Sequence, residues 1–316
     1  MSVLLIGGAG YIGGAITDLL LEEGHKNITV VDSLIYEDRY LKKGIKFINK
    51  DAYDFLDYVE DYNLVINLAA IVGDGACTVN ADKTDRINLS FVKELTLKLN
   101  RYQHLIHFSS CSVYGINDNL LDESSGVNPL SLYADTKIKS EEIIKKSGRT
   151  STIVRLGTVY GVGDSHSRLR FDLVANTLVA GAYYNKEISV FGGDQFRPLI
   201  HVKDVARAVI HLSKVLPSPY DGEIYNVSSQ NTRICDLARQ VRAHFNDCKI
   251  NESDIPFEDK RNYKVLNTKL LSTGFKPKYT VDDGINELKE LFDSGAIKDW
   301  TNPIYHNHKY LKSINF

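Results

Sequence analysis

Cysteine is scarce in this chain. Four occur in 316 residues, Cys77, Cys111, Cys235 and Cys248, with no C-x-x-C pair and no histidine at metal-ligand spacing. Neither a disulfide framework nor a zinc site is indicated, no metal ligand set is expected, and a reducing cytoplasmic setting is the compartment that fits. An excess of one charge is lacking too. Lys plus Arg total 38 against 40 Asp plus Glu, a net charge of -2, so no global positive field gathers nucleic acid or an anionic membrane, and any phosphate contact has to be local. Nowhere do eighteen apolar residues run uninterrupted, so no membrane span is expected. The opening run Val3-Leu4-Leu5-Ile6 passes straight into glycines, without the basic flank or the length of a signal peptide. No solenoid period and no low-complexity tract breaks the chain.

What is present is ordinary globular material, 43% apolar and 25% charged, enough for one large α/β domain or two fused modules. Short apolar runs at Val3 to Ile6, Ile28 to Val31, Leu64 to Leu68, Leu105 to Phe108 and Thr152 to Leu156 read as buried strands. Stretches with 3.6-residue periodicity separate most of them, at Ile12 to Glu23, Arg86 to Leu99 and Tyr133 to Lys146. That alternation predicts a Rossmann-type α/β fold, a doubly wound parallel sheet covered on both faces. After about residue 160 the rhythm loosens. A helix from about Lys203 to Val215 and a strand from Glu223 to Val227 suggest that the chain revisits the first sheet. The expected division is a dinucleotide-binding domain of 1-165 plus about 198-227, and a smaller C-terminal α/β substrate domain of about 166-197 and 228-316.

The first strand opens into Gly7-Gly8-Ala9-Gly10-Tyr11-Ile12-Gly13, which reads G-x-x-G-x-x-G and continues as a periodic helix. Gly7 permits a tight turn, Gly10 lets backbone approach a pyrophosphate, and Gly13 lets helix and strand pack closely, while the helix N-terminus offers N-H groups to the anion. Asp32 ends the second strand, where a carboxylate accepts from ribose hydroxyls and repels a 2'-phosphate. NAD is favoured over NADP. Tyr133 and Lys137 stand at i and i+4, so both project from one helix face. A phenol with an unperturbed pKa near ~10 becomes a usable general base when an ammonium and an oxidised nicotinamide favour its anion. Ser109 and Ser110, ending the strand Leu105 to Phe108, put hydroxyls at the carboxyl edge of the sheet, where substrates of such folds bind.

With these motifs the sequence resembles the extended short-chain dehydrogenase/reductases, in the NAD-dependent nucleotide-sugar epimerase/dehydratase branch. The resemblance spans nearly the whole chain: the glycine loop, Asp51-Ala52, Asn67-Leu68-Ala69-Ala70, Ser110 to Gly115, Tyr133 to Lys137, Arg155 to Gly161 and His201-Val202-Lys203-Asp204. It implies that Tyr133 is the base or acid at a sugar hydroxyl, that Lys137 holds the nicotinamide ribose and lowers the phenol pKa, and that Ser110 contacts substrate. By the same resemblance Asp51 and Ala52 meet adenine, and Tyr11, Ile12, Leu68, Ala69, Ala70, Ser109, Val159 and the helix residue Asn88 belong to the dinucleotide site. Asn88 reads equally well as structural.

Dehydratases of this branch place a glutamate where this chain has Ser112, which argues against 4,6-elimination. Cys111 is expected to pack as a small buried group, with a proton-donor role in a reductase-like member as the alternative. What remains is reversible oxidation of a sugar carbinol at C4, with hydride passing to the nicotinamide. The outcome is an epimerase if the ketone turns over in place and a dehydrogenase if it departs. The segment Arg168 to Asn176 resembles a surface-polysaccharide sub-branch that includes GDP-heptose 4-dehydrogenases. Thr158 stands where many epimerases bind diphosphate through asparagine, so Asn176 is assigned that amide, and Arg197 and Arg261 match phosphate-binding arginines. His201 and Asp204 are expected to fix a strand-to-helix junction, Asp204 as a cap or first-turn acid, and His306 and His308 to lie in a surface tail. The resemblance implies a nucleotide-diphosphate sugar as partner and a homodimer. The competing class is a non-catalytic dinucleotide-binding sensor or scaffold.

Overall fold

In the computed structural model, which describes residues 1-36, 42-215, 221-253 and 261-316, the aliphatics Val3–Ile6 form strand β1, buried along its length. Val3 and Leu5 enter one hydrophobic cluster, Leu4 and Ile6 another. Successive side chains of a strand point to opposite faces, so a strand with two apolar faces belongs in the middle of a covered sheet. The elements that follow are α1 (Tyr11–Glu22), β2 (Ile28–Asp32), β3 (Lys46–Asn49), β4 (Leu64–Asn67), α2 (Asp74–Val79), α3 (Ala81–Asp85), α4 (Phe91–Lys98), β5 (His104–Ser110), β6 (Ile116–Leu121), α5 (Leu132–Lys146), β7 (Ser151–Leu156) and β8 (Thr158–Tyr160). Beyond them lie α6 (Val174–Ala180), β9 (Glu187–Phe191), β10 (Phe196–His201), α7 (Val202–Val215), β11 (Asp221–Val227), β12 (Gln230–Arg233), α8 (Ile234–Ala243), β13 (Lys249–Ser253), β14 (Asn262–Val265), α9 (Thr268–Ser272), α10 (Val281–Asp293) and α11 (Asn307–Ser313).

Seven strands make one parallel sheet in the order β3-β2-β1-β4-β5-β7-β11. Ile16 and Leu20 of α1 and Val205 and Val209 of α7 share the cluster of Val3 and Leu5. Phe91, Val92 and Leu95 of α4 and Ile144 of α5 share that of Leu4 and Ile6. The sheet is therefore doubly wound, as expected. The chain leaves β1 for β2 on one side and returns to β4 on the other, which opens a crevice at the carboxyl ends of β1 and β4. The run Glu223 to Val227 lies within β11 and pairs in register with β7. The helix expected over Arg86 to Leu99 is instead α4 preceded by a widened π turn, Arg86–Ser90.

Downstream, three small sheets build a second layer beside the crevice: β12-β10-β8, β13-β9 and β14-β6. Periodicity did not reveal most of these strands, which are three to six residues long and find their partners far away in sequence. His201 and Asp204 do tie a junction, through distant partners. His201 Nε2 lies 2.9 Å from Glu287 Oε2. Asp204 is the acid in the first turn of α7, as expected, and its Oδ2 accepts from the backbone N-H of Lys278 and Tyr279, each at 2.8 Å, so it ties that turn to another segment.

Candidate active site

The crevice above β1 and β4 continues into the second layer as one cleft of about 980 Å³. Its floor is the glycine loop. Gly7 has φ +73°, and a Cβ there would stand 2.6 Å from the backbone N of Ala69, so only glycine lets β1 turn this close to the segment after β4. A Cβ on Gly13 would meet the carbonyl of Gly8 at 2.4 Å, whereas one on Gly10 would meet nothing nearer than 4.0 Å. Gly10 thus leaves space in front of the first turn of α1, where a phosphate would sit against helix N-H groups. Asp32 Oδ2 accepts from Ala9 N at 3.0 Å and Oδ1 from Leu34 N at 2.8 Å. Burial raises the Asp32 carboxyl, and those two N-H groups act against the rise. Asp51 Oδ1 caps the turn that follows by accepting from Tyr53 N at 3.0 Å, and Oδ2 pairs with Arg86 at 3.2 Å. Ile12, Ala52, Leu68, Ala69, Ala70 and Val159 complete this end of the lining.

Ser110, Tyr133 and Lys137 line the same cleft. Ser110 ends β5, and its Oγ accepts from Ser112 N at 3.1 Å, which fixes the tight turn after the strand. Ser131 caps α5 by accepting from Ala134 N, so the helix starts one residue before Tyr133 and turns the phenol inward. Tyr133 is 8% exposed. Burial pushes its pKa up, Cys77 adds to the rise, and the Ser110 hydrogen bond and Arg170 work downward. Lys137 Nζ donates to Phe108 O at 2.8 Å and lies 5.8 Å from the Tyr133 ring centroid. Burial brings the lysine itself down to about 8. The expected lowering of the phenol by Lys137 is therefore not the dominant effect here: burial outweighs every cation facing the ring.

The opposite wall comes from distant segments. Arg170 donates to Asp172 at 2.6 and 3.1 Å, and this partly exposed pair lines the cleft near Tyr133 together with Tyr36 and Arg168. Arg168 stacks over Tyr36 at 4.3 Å. Among the described residues, the hydroxyls of Tyr36 and Ser112 are buried without a hydrogen-bond partner. Arg197 and Arg261 both reach the cleft. Arg197 Nη2 bonds Gln195 Oε1 at 3.1 Å, and Arg261 Nη2 lies 3.5 Å from Asp74 Oδ2, which spans the cleft.

Two assigned residues are not brought to the cleft. Asn176 is wholly buried. Its Oδ1 accepts from Gly161 N at 3.0 Å and its Nδ2 donates to Arg170 O at 3.0 Å, so the amide is used up inside the fold and is turned away from any diphosphate. Asn88 lies in the π turn, where its Oδ1 accepts from Ile71 N at 2.8 Å and its Nδ2 donates to Ile71 O at 3.0 Å. It pins the segment that follows Ala69 and Ala70, and its structural reading is the one this geometry fits. Two others reach the cleft with their polar atoms facing elsewhere. Ser109 Oγ donates to Glu141 at 2.5 Å, and Glu141 is itself paired with buried Arg155 at 2.6 Å. Tyr11 Oη donates to Gly161 O at 2.5 Å. Cys111 packs as expected, its Sγ 3.3 Å from Arg155 O.

The H-x-H segment is not a surface tail. His306 is buried with Nε2 3.0 Å from Trp300 O, while His308 and Asn307 wall the cleft. Asn307 Nδ2 donates to Val72 O at 2.8 Å. Sequence reasoning missed this wall, as it missed Tyr36, Asp74, Arg168, Arg170 and Asp172 as cleft residues. The one available signal was the density of charge in Arg168 to Asp172. Among the described residues no cluster of three metal-ligating side chains occurs and no helix is long and apolar enough to cross a membrane.

The model of the NAD dependent epimerase/dehydratase family matches residues 3-228, and the chain belongs to that family, whose members act on nucleotide sugars with NAD. It is 27% identical to a UDP-glucose 4-epimerase from Streptococcus mutans over 76% of this chain and 81% of that protein. It is 25% identical to an ADP-L-glycero-D-manno-heptose-6-epimerase from Brachyspira hyodysenteriae over 93% of this chain and 98% of that one. The solved structure of MoeE5 in complex with UDP-glucuronic acid and NAD shares the fold, with a TM-score of 0.80 at 22% identity, covering 93% of this chain and all of that one.

Proposed function

We propose that this protein oxidises a ring carbinol, at C4, of a nucleotide-diphosphate sugar and returns the hydrogen before the ketone leaves, as an NAD-dependent 4-epimerase. Release of the ketone would make the same site a 4-dehydrogenase. The observation that carries the reading is that Ser110, Tyr133 and Lys137 line one cleft with a glycine loop whose Gly10 leaves room for a phosphate. The residues fit the dinucleotide: Gly7 to Gly13 at its pyrophosphate, Asp32 at a ribose, Asp51 and Ala52 at adenine, Lys137 at the other ribose. When bound, NAD supplies the two-electron acceptor.

The chain's own part is proton handling and orientation. Tyr133 keeps its proton at neutral pH because burial disfavours the phenolate. It can therefore give that proton to an oxyanion; to take the carbinol proton it must first have lost its own, and nearby positive charge is what would favour that phenolate. Ser110, whose hydroxyl acts to lower the phenol pKa, is suited to orient the reacting oxygen for general acid-base transfer. Lys137 keeps a cation at the edge of the ring. Arg197 and Arg261 are suited to the substrate diphosphate, since a guanidinium fork matches phosphate oxygens. This assigns nucleotide-sugar recognition to about 166-197 and 228-316. Ser112, in place of a carboxylate, offers no acid or base for elimination.

The test is incubation of the NAD-loaded protein with UDP-, GDP-, ADP- and dTDP-sugars, following reduced-nicotinamide absorbance and product NMR. The expected result is inversion at C4 of one of them, abolished in Tyr133→Phe. Silence toward every sugar while NAD stays bound would overturn the proposal in favour of a dinucleotide-binding sensor.

A further inference from the structure

Gly14 falls outside the G-x-x-G-x-x-G pattern, and the phosphate cradle does not explain it. A Cβ at this position would stand 2.4 Å from both Asp164 Oδ2 and Ser167 Oγ. Those side chains belong to the segment 161-170, which enters from the downstream half of the chain and is fastened to the first turn of α1 at several points. Tyr11 Oη donates to Gly161 O at 2.5 Å and Ser167 Oγ donates to Ala9 O, in the glycine loop, at 3.1 Å. Asp164 pairs with Lys42 Nζ at 2.7 Å, the two side chains being 1% and 3% exposed. The same ammonium donates to Gly14 O at 2.8 Å and to Asp18 Oδ1 at 2.6 Å. The segment then runs directly into Arg168 and Arg170, which line the cleft beside the glycine loop and Tyr133.

We propose that Lys42, Asp164 and Ser167 are positioning residues that bolt segment 161-170 beside the phosphate cradle, so that a bound dinucleotide is retained from one turnover to the next. The inference rests on the cofactor reading above and deepens it, because a retained dinucleotide is what return of the hydrogen in place requires. The physical reason is the burial of the bolt. Lys42→Met would strand the 1% exposed Asp164 carboxylate away from water, and Asp164→Asn would leave the ammonium to Asp18 and Gly14 O alone, so either change loosens the hold of the segment on α1. A dinucleotide held between the helix terminus and the arginines of this segment would leave more readily once that second side is loosened.

The experiment loads the full-length protein with NADH and follows loss of its fluorescence after a chase with excess NAD. Lys42→Met and Asp164→Asn are expected to release NADH at least tenfold faster than the wild type, and Ser167→Ala a few-fold faster. The NAD concentration that restores half of the activity to cofactor-stripped protein should rise by a larger factor than the activity at saturating NAD falls, which a general loss of folded protein would not produce. Should Lys42→Met or Asp164→Asn fail to fold, Ser167→Ala and Gly14→Ala carry the test, each leaving the ion pair's charges in place. Release rates within twofold of the wild type in the folded variants would overturn the proposal. Fast release that depends on these residues, in a protein silent toward every nucleotide sugar, would support the bolt and overturn the catalytic reading alone.

Discussion

The two walls of the cleft are built by opposite means. On the sheet side, Gly7, Asp32, Ser110 and Tyr133 are set by elements that end or begin within a residue or two of them, and their backbone partners are mostly near in sequence. On the other side, Arg168, Arg170, Arg197, Arg261 and His308 come from four separated segments. Their charges are held by partners such as Asp172, Asp74 and Asn307. The first wall gets its geometry from regular secondary structure, which tolerates little change. The second gets it from side-chain contacts, which can be rewired without disturbing the sheet. Under the proposed function, chemistry falls to the first wall and choice of substrate to the second.

That contrast can be broken by mutation. Tyr133→Phe carries the largest expected effect, a fall in turnover of about 10²- to 10⁴-fold with dinucleotide binding retained, read by steady-state rates beside NADH titration. Arg197→Ala and Arg261→Ala, on the second wall, should raise the KM for nucleotide sugar by about tenfold to a hundredfold, the worth of a charged hydrogen bond, while kcat changes much less. An equal loss of kcat would erase the division of labour.

A pH profile sharpens the first wall. Burial brings Lys137 to about 8 from 10.5, so its ammonium is lost as pH rises through about 8, and kcat/KM should decline on that alkaline side. The sign for stability is opposite. Between about 8 and 10.5 the unfolded chain binds the extra proton, so folding stability gains from Lys137 as pH rises across that window. Thermal melts of Lys137→Met should lack this gain. The smallest effect on binding is expected from Asn176→Ala. Nucleotide-sugar affinity should stay within experimental scatter of the wild type, while denaturant melts show a loss of about 1-3 kcal/mol from the polar groups it leaves unpaired. Weakened affinity without loss of stability would return Asn176 to the substrate site.

The two walls also differ in how far they could be read in advance. The glycine loop, Asp32 and the Tyr133-Lys137 pair were legible because turn chemistry and helical spacing are local rules that act within a few residues. Asn176 shows where such reading stops. Its residue type suited a diphosphate, yet α6 points the amide at Gly161 and Arg170, and no local rule records which way a buried side chain faces. His306 and His308 show the same limit in reverse, since a short charged tail became a cleft wall only by docking α11 on α2.

By itself the sequence determined a doubly wound parallel sheet, a phosphate cradle ahead of α1 and a phenol one helical turn from a lysine. Periodicity and glycine placement are enough to decide those. Only the tertiary structure decided that Asp74 and Asn307 would hold the far wall, that burial would raise the phenol despite nearby cations, and that Lys42 would meet Asp164. Each of these depends on the packing of segments more than a hundred residues apart, or on the exclusion of water by that packing, and neither quantity is carried by any local stretch of chain.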